Sequence, residues 1–319
     1  MRGRTFTRAI KAEPVVEATL PTKNPAAKAQ KAMEALRLAD LVPAALLVAP
    51  GREFKTSPTG SLLPGEVPVN TLVMALREAG FRRRIVAGKP SFFPEFNRNP
   101  LGPSADAVYL GGCGIVHAAD DLSVMETLSV YPAILTSAAQ RGGARPLWLG
   151  PCTLGSRHAP YGAAVTPNPE NRRIPMARND PRDKTLFAAA YALGLAAACA
   201  GFLVDCLTLA SPFGPFGVMA GDGSKYPLCG VQAMLAGAAG HVGRRVAWRD
   251  LAAVGWEDGD LIRVLMANIT GDGVLLSLPD TAALRLLELG ADWGNERTGT
   301  LTLGPCRTAL VSYASGRDL

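Results

Sequence analysis

The sequence holds few of the residues from which metal sites and disulfide frameworks are built. Three histidines occur in 319 residues, and the six cysteines stand at 113, 152, 199, 206, 229 and 306. They form no C-x-x-C pair and no Cys/His spacing of the kind that holds zinc, so no metal and no cofactor is expected. Most of these cysteines lie in apolar runs, where a free thiol behaves as a small hydrophobe, and the chain reads as a reduced, cytoplasmic protein. The basic N-terminus has no apolar core behind it, which argues against a secretory signal. Net charge is scarce in the body. Of the formal +6 at pH 7, +5 comes from residues 1–31, with seven Lys or Arg against two Glu. With no aromatic-interleaved basic face, that is a basic tail with no nucleic-acid partner, and Arg82-Arg83-Arg84 reads as a solvated edge. Residues 186–204 are uncharged and long enough to span a bilayer, but Ala and Gly dominate them. They read as a helix turning at Gly201 into a strand over 202–210, and no membrane partner is expected.

What is present is a large apolar fraction, 48%, in a chain long enough for two domains. Helix and strand patterns alternate. Helices are predicted over 26–39, 67–78, 123–140 and 227–239, with another starting at Asn179-Asp180-Pro181. Strands are predicted over 45–49, 84–88, 107–111, 146–150 and 202–210. Ser123-Val-Met-Glu126 has the form of a capping box, which assigns Glu126 to the cap. The crossing from Lys89 to Ala105 carries Pro90, Pro94, Pro100 and Pro103, which argue against a helix there. Five such strands make an α/β protein with a parallel sheet, closed or open. From about residue 241 the pattern changes to short runs at 245–248, 261–269, 273–278, 283–287, 300–303 and 308–313, which predict a small all-β sandwich. The expected organisation is a basic tail over 1–25, a β/α portion over 26–240 and a β domain over 241–319.

The strands near 84 and 107 each discharge into a loop rich in ionisable groups, as parallel α/β proteins do where they place chemistry. Glu95, Asn97, Arg98, His117, Asp120 and Asp121 are therefore the first candidates.

Several motifs carry a resemblance to a known family. They are Phe93-Pro-Glu-Phe-Asn-Arg-Asn, Val116-His-Ala-Ala-Asp-Asp-Leu-Ser-Val-Met-Glu-Thr-Leu, Pro160-Tyr-Gly-Ala and Ile174-Pro-Met-Ala-Arg-Asn-Asp-Pro-Arg. Ser211-Pro-Phe-Gly-Pro-Phe-Gly and Met266-Ala-Asn-Ile-Thr continue the series. In these stretches the sequence resembles the D-apionate lactonases, a family akin to the retaining glycosidases. The resemblance implies the later part of a TIM-type (β/α)8 barrel followed by a β-sandwich, acting on a small sugar lactone. It also implies that an N-terminal companion segment, or a second copy, completes the barrel.

Opening a lactone requires a nucleophile or an activated water, and donors for the oxyanion that forms. Glu95, behind apolar Phe92, Phe93 and Pro94, is the candidate base; its bland alternative is an ion pair with Arg98. His117 is read as polarising the carbonyl or relaying a proton, with Asp120 orienting its ring; the alternative is a helix cap at Asp120 or Asp121. Lys55, Asn97, Arg98, Asp121, Arg157 and Tyr161 are candidate substrate ligands, and Asn168 lies in the same polar loop. Two other functions stay open: a glycoside hydrolase, which needs two carboxylates about 5 to 9.5 Å apart, and a non-catalytic remnant.

Overall fold

The computed structural model describes residues 13–21, 23–51, 55–56, 67–99, 101–143, 145–241, 243–244, 250–278, 282–287 and 292–314. Six parallel strands form one sheet in sequential order: β1 (Val15–Leu20), β2 (Ala45–Pro50), β3 (Arg84–Lys89), β4 (Ala107–Cys113), β5 (Leu147–Thr153) and β6 (Val204–Leu207). Sequential parallel order with intervening helices is the arrangement of a (β/α)8 barrel, of which these are six strands. Ala45, Leu47, Ala49, Val86, Ala107, Tyr109 and Trp148 are buried on the inner face. Leu46, Val48, Ile85, Ala87, Val108, Leu110, Leu147 and Leu149 pack against the helices on the other. Burial on both faces explains why these strands read as continuous apolar runs. Gly88 is required in β3, because a Cβ there would lie 2.1 Å from the Tyr109 carbonyl oxygen on β4.

The sheet curls strongly. In a flat sheet, β1 and β5 would stand four strand spacings, roughly 19 Å, apart. Instead Arg157, after β5, donates to Glu17 of β1 at 2.7 Å. Lower in the sheet, Arg84 of β3 reaches Asp205 of β6 at 2.5 Å.

The helices are α1 (Pro25–Leu38), α2 (Val69–Glu78), α3 (Phe93–Arg98), α4 (Asp121–Glu126), α5 (Tyr131–Gly142), α6 (Leu186–Cys199) and α7 (Pro227–Ala238). Three details correct the sequence reading. β1 lies inside the segment taken as a tail. A short helix, α3, does form between Lys89 and Ala105, because Pro94 stands in its first turn, where no intrahelical N–H is needed. The helix expected from Ser123 starts earlier: Asp120 is the N-cap, its Oδ1 accepting from the Ser123 amide at 2.8 Å. Glu126 is thus the last residue of α4. A 3-10 turn over Thr127–Val130 and Pro132 in the first turn of α5 then break what was read as one helix.

The apolar stretch from Leu186 is α6, capped by Thr185, and ten of its fourteen residues are buried. A helix apolar all round belongs in a core. It packs on the barrel core on one side and on Trp256, Leu265 and Leu310 on the other. Among the described residues, no helix is long and apolar enough to cross a membrane.

The last third forms a five-stranded antiparallel sheet, whose strands beginning at Ala283, Thr308, Leu261, Leu251 and Gly243 lie side by side in that order, and a two-stranded sheet. The larger contains β7 (Gly243–Arg244), β8 (Leu251–Asp258), β9 (Leu261–Asn268), β11 (Ala283–Leu286) and β13 (Thr308–Ala314); the smaller pairs β10 (Val274–Ser277) with β12 (Thr300–Leu303). Val264, Met266, Leu276, Leu303, Ala309 and Val311 fill the space between them. β8 was not read from the sequence, and the run at 245–248 lies outside the described residues.

Candidate active site

The carboxyl ends of β2 to β5 bring their following loops together. Lys55 Nζ, after β2, donates to the carbonyls of Ala159 at 2.7 Å and Gly162 at 2.5 Å, both in the loop after β5. The Thr56 amide donates to the Pro160 carbonyl at 2.9 Å. Lys55 therefore stitches two loops together rather than standing open to a ligand. The same short segment reaches α3, which follows β3: Thr56 Oγ1 donates to Glu95 Oε1 at 2.6 Å, and Arg98 Nη1 donates to that oxygen at 3.1 Å. The Glu95 side chain is only 3% exposed, whereas Thr56 is exposed.

His117 follows β4 and is exposed, its ring 6.2 Å from that of Tyr161. Both line a cavity of about 290 Å³ whose walls include Phe92, Phe93, Ile134 and the glycine-rich end of β4. Tyr161 adjoins Pro160, so a continuous set of contacts runs from Glu95 through Thr56 and Pro160 to Tyr161 and His117. Glu95 and His117 thus occupy the same end of the sheet.

The remaining candidates have structural partners. No hydrogen bond joins Asp120 to His117 among the described residues, the Asp120 carboxylate being the cap of α4. Asp121 bridges Arg173 at 2.9 Å and Arg182 at 2.8 Å. Asn97 accepts from Arg141 at 2.9 Å. Arg157 holds Glu17. Asn168 organises its own loop, bonding Arg172 and the Asn179 carbonyl. Next to Arg157, burial first and then the Arg157 guanidinium push the His158 imidazole down to about 4, so it is neutral at pH 7. Among the described residues, no group of three His, Cys, Asp or Glu side chains is placed to hold a metal ion.

Thr56 and Glu17 were missed in the sequence. Lys55-Thr56 does follow a strand end, which is a signal, but the partner of Thr56 lies 39 residues away and no local pattern connects them.

The family described as "D-apionate lactonase, TIM barrel domain" matches residues 2–240. The chain belongs to the D-apionate lactonase family. The D-apionate lactonase of Brucella anthropi is 38% identical over 212 residues, covering 64% of this chain and 35% of that protein. The chain thus spans about a third of the length of the relative it matches. Among solved structures, the GH51 α-L-arabinofuranosidase of Thermotoga petrophila superimposes with a TM-score of 0.62 at 12% identity, covering 97% of this chain and 77% of that one. A GH30 endoxylanase of Clostridium papyrosolvens follows at 0.54 and 9%, over 91% and 70%. At such identities the likeness is one of fold: this lactonase-family barrel and its β domain share the glycosidase architecture.

Proposed function

We propose that this mouth hydrolyses a sugar-acid lactone of the D-apionolactone type to its hydroxy acid. Membership of the D-apionate lactonase family supports the substrate class. The observation that carries the site assignment is the buried Glu95 carboxylate held at 2.6 Å by the hydroxyl of Thr56, an exposed residue at the carboxyl end of the sheet. Glu95 is the base, and Arg98 fixes its orientation. His117 and Tyr161, at the rim of the cavity, meet the lactone ring. Lys55 and Arg157 hold the loops that shape the opening. The mechanism needs no metal, since a positioned base and donors suffice to open an ester. The glycosidase reading is not favoured, because the family match is to lactonases.

The experiment follows acid release from D-apionolactone by pH-stat titration. Wild-type protein is expected to release acid, with turnover persisting in a chelator. Glu95→Gln is expected to lose about 10²-fold or more with its fold intact. No acid release would remove the substrate assignment, and near-normal turnover in Glu95→Gln would remove the base. Loss of activity in chelator that only a divalent ion restores would contradict metal independence.

A further inference from the structure

Glu95 is placed awkwardly for a base that activates a water directly. Its side chain is almost fully buried, and its Oε1 is already taken by the Thr56 hydroxyl. Thr56, whose hydroxyl it holds, is by contrast an exposed residue. We propose that Thr56 is the nucleophile of this site, with Glu95 acting as its general base and Arg98 orienting that base. The proposal rests on the hydrolase reading above and deepens it by naming the attacking atom.

The geometry is that of an activated hydroxyl: nucleophile and base within hydrogen-bond reach, the base oriented by a third group. The Oγ1 to Oε1 distance is 2.6 Å, and the third group is the Arg98 guanidinium at 3.1 Å. Thr56 is also held from behind. Its amide bonds Pro160, and its neighbour Lys55 ties down Ala159 and Gly162, so the hydroxyl is presented from a fixed backbone. Fixing the attacking atom is what lowers the entropic part of the barrel-mouth reaction.

The chemistry balances without any added reagent but water. Thr56 Oγ1 bonds to the lactone carbonyl carbon as its proton passes to Glu95. Collapse of the tetrahedral adduct breaks the ring C–O bond, and the ring oxygen takes that proton, leaving the opened chain as an ester of Thr56. Water then attacks the ester carbonyl and gives a proton to Glu95. The Thr56 oxygen leaves, recovering the proton, and the sugar acid departs.

The test uses p-nitrophenyl acetate as an acylating probe, followed by acid quench and peptide mass mapping, alongside D-apionolactone turnover. Wild-type protein is expected to carry an acetyl group on Thr56. Thr56→Val is expected to carry none in that peptide and to lose about 10³-fold or more in lactone turnover. Thr56→Ser, which keeps the hydroxyl, is expected to be labelled and to stay within about 10-fold of wild type, a rescue that a packing role would not require. Glu95→Gln should acylate about 10²-fold more slowly. An unlabelled residue 56 in the wild type, or near-normal lactone turnover in Thr56→Val, overturns the proposal. Labelled Thr56 in a protein that does not open D-apionolactone supports the nucleophile and removes the substrate reading alone.

Discussion

Glu95 and Asp180 are both buried carboxylates gripped by an arginine, yet they are wired differently. Asp180 takes two hydrogen bonds from the Arg182 guanidinium, each at 2.8 Å, and both side chains are nearly inaccessible, at 0% and 4% exposure. The third arm of Arg182 passes to Asp121. The same Asp180 closes a reciprocal cap with Asp183, and the guanidinium lies 4.7 Å above the Phe187 ring. Both carboxylate oxygens of Asp180 go to the buried Arg182, and the group anchors the long loop after β5 to α4 and α6. Among the partners of Glu95 are one arm of an arginine and the hydroxyl of Thr56, an exposed residue. The contrast separates a clamp from a site: buried acids are common to both, and an outward-facing partner belongs to one.

Removing one member of each pair should sharpen this. Arg182→Met leaves Asp180 buried without its counter-charge and is expected to cost about 3–5 kcal/mol of stability, read from urea unfolding, with kcat of the folded fraction kept. A marked fall in kcat would mean that the clamp takes part in the reaction. Glu95→Gln should show the reverse balance, with about 10²-fold lost in turnover and a smaller change in unfolding midpoint.

The smallest effect expected is on pH dependence. Burial, which outweighs the hydrogen bond from the Asp180 amide, raises the Asp183 carboxyl to about 7. The folded protein therefore binds this proton more tightly than the unfolded chain. The associated stability is present below the unfolded value near 3.8 and is lost as pH rises through about 7. His158 has the opposite sign: lowered from 6.5 to about 4, it contributes stability that is present above 6.5 and lost as pH falls through 4. Asp183→Asn should remove the first slope and leave the second, as read from unfolding midpoints between pH 4 and 7. Unchanged curves would mean that Asp183 is ionised throughout.

The sequence made the central strands legible because burial on both faces writes them as uninterrupted apolar runs. β1 was not legible. Val15-Val-Glu-Ala-Thr-Leu alternates, since it stands at the edge of the sheet with polar Glu17 reaching Arg157, and it is embedded among basic residues. α3 was hidden by reading Pro94 as a breaker, when at a first turn it is permissive. The strand-end rule picked out Glu95, His117 and Lys55 as candidates, and all three stand at the carboxyl end of the sheet. It did not reveal that Lys55 is occupied by carbonyls or that Thr56 donates to Glu95, because both facts depend on pairings across loops far apart in the chain.

Helix α6 ties the two halves of the molecule to one fate. Its flanks are coated by the barrel on one side and by the antiparallel sheet on the other, so neither half owns a finished surface there. Trimming the polypeptide at the junction would not liberate a tidy barrel; it would strip a cylinder of alanine and leucine bare to water. Evolution of this protein by exchanging its tail module would therefore have to re-dress that cylinder at the same time.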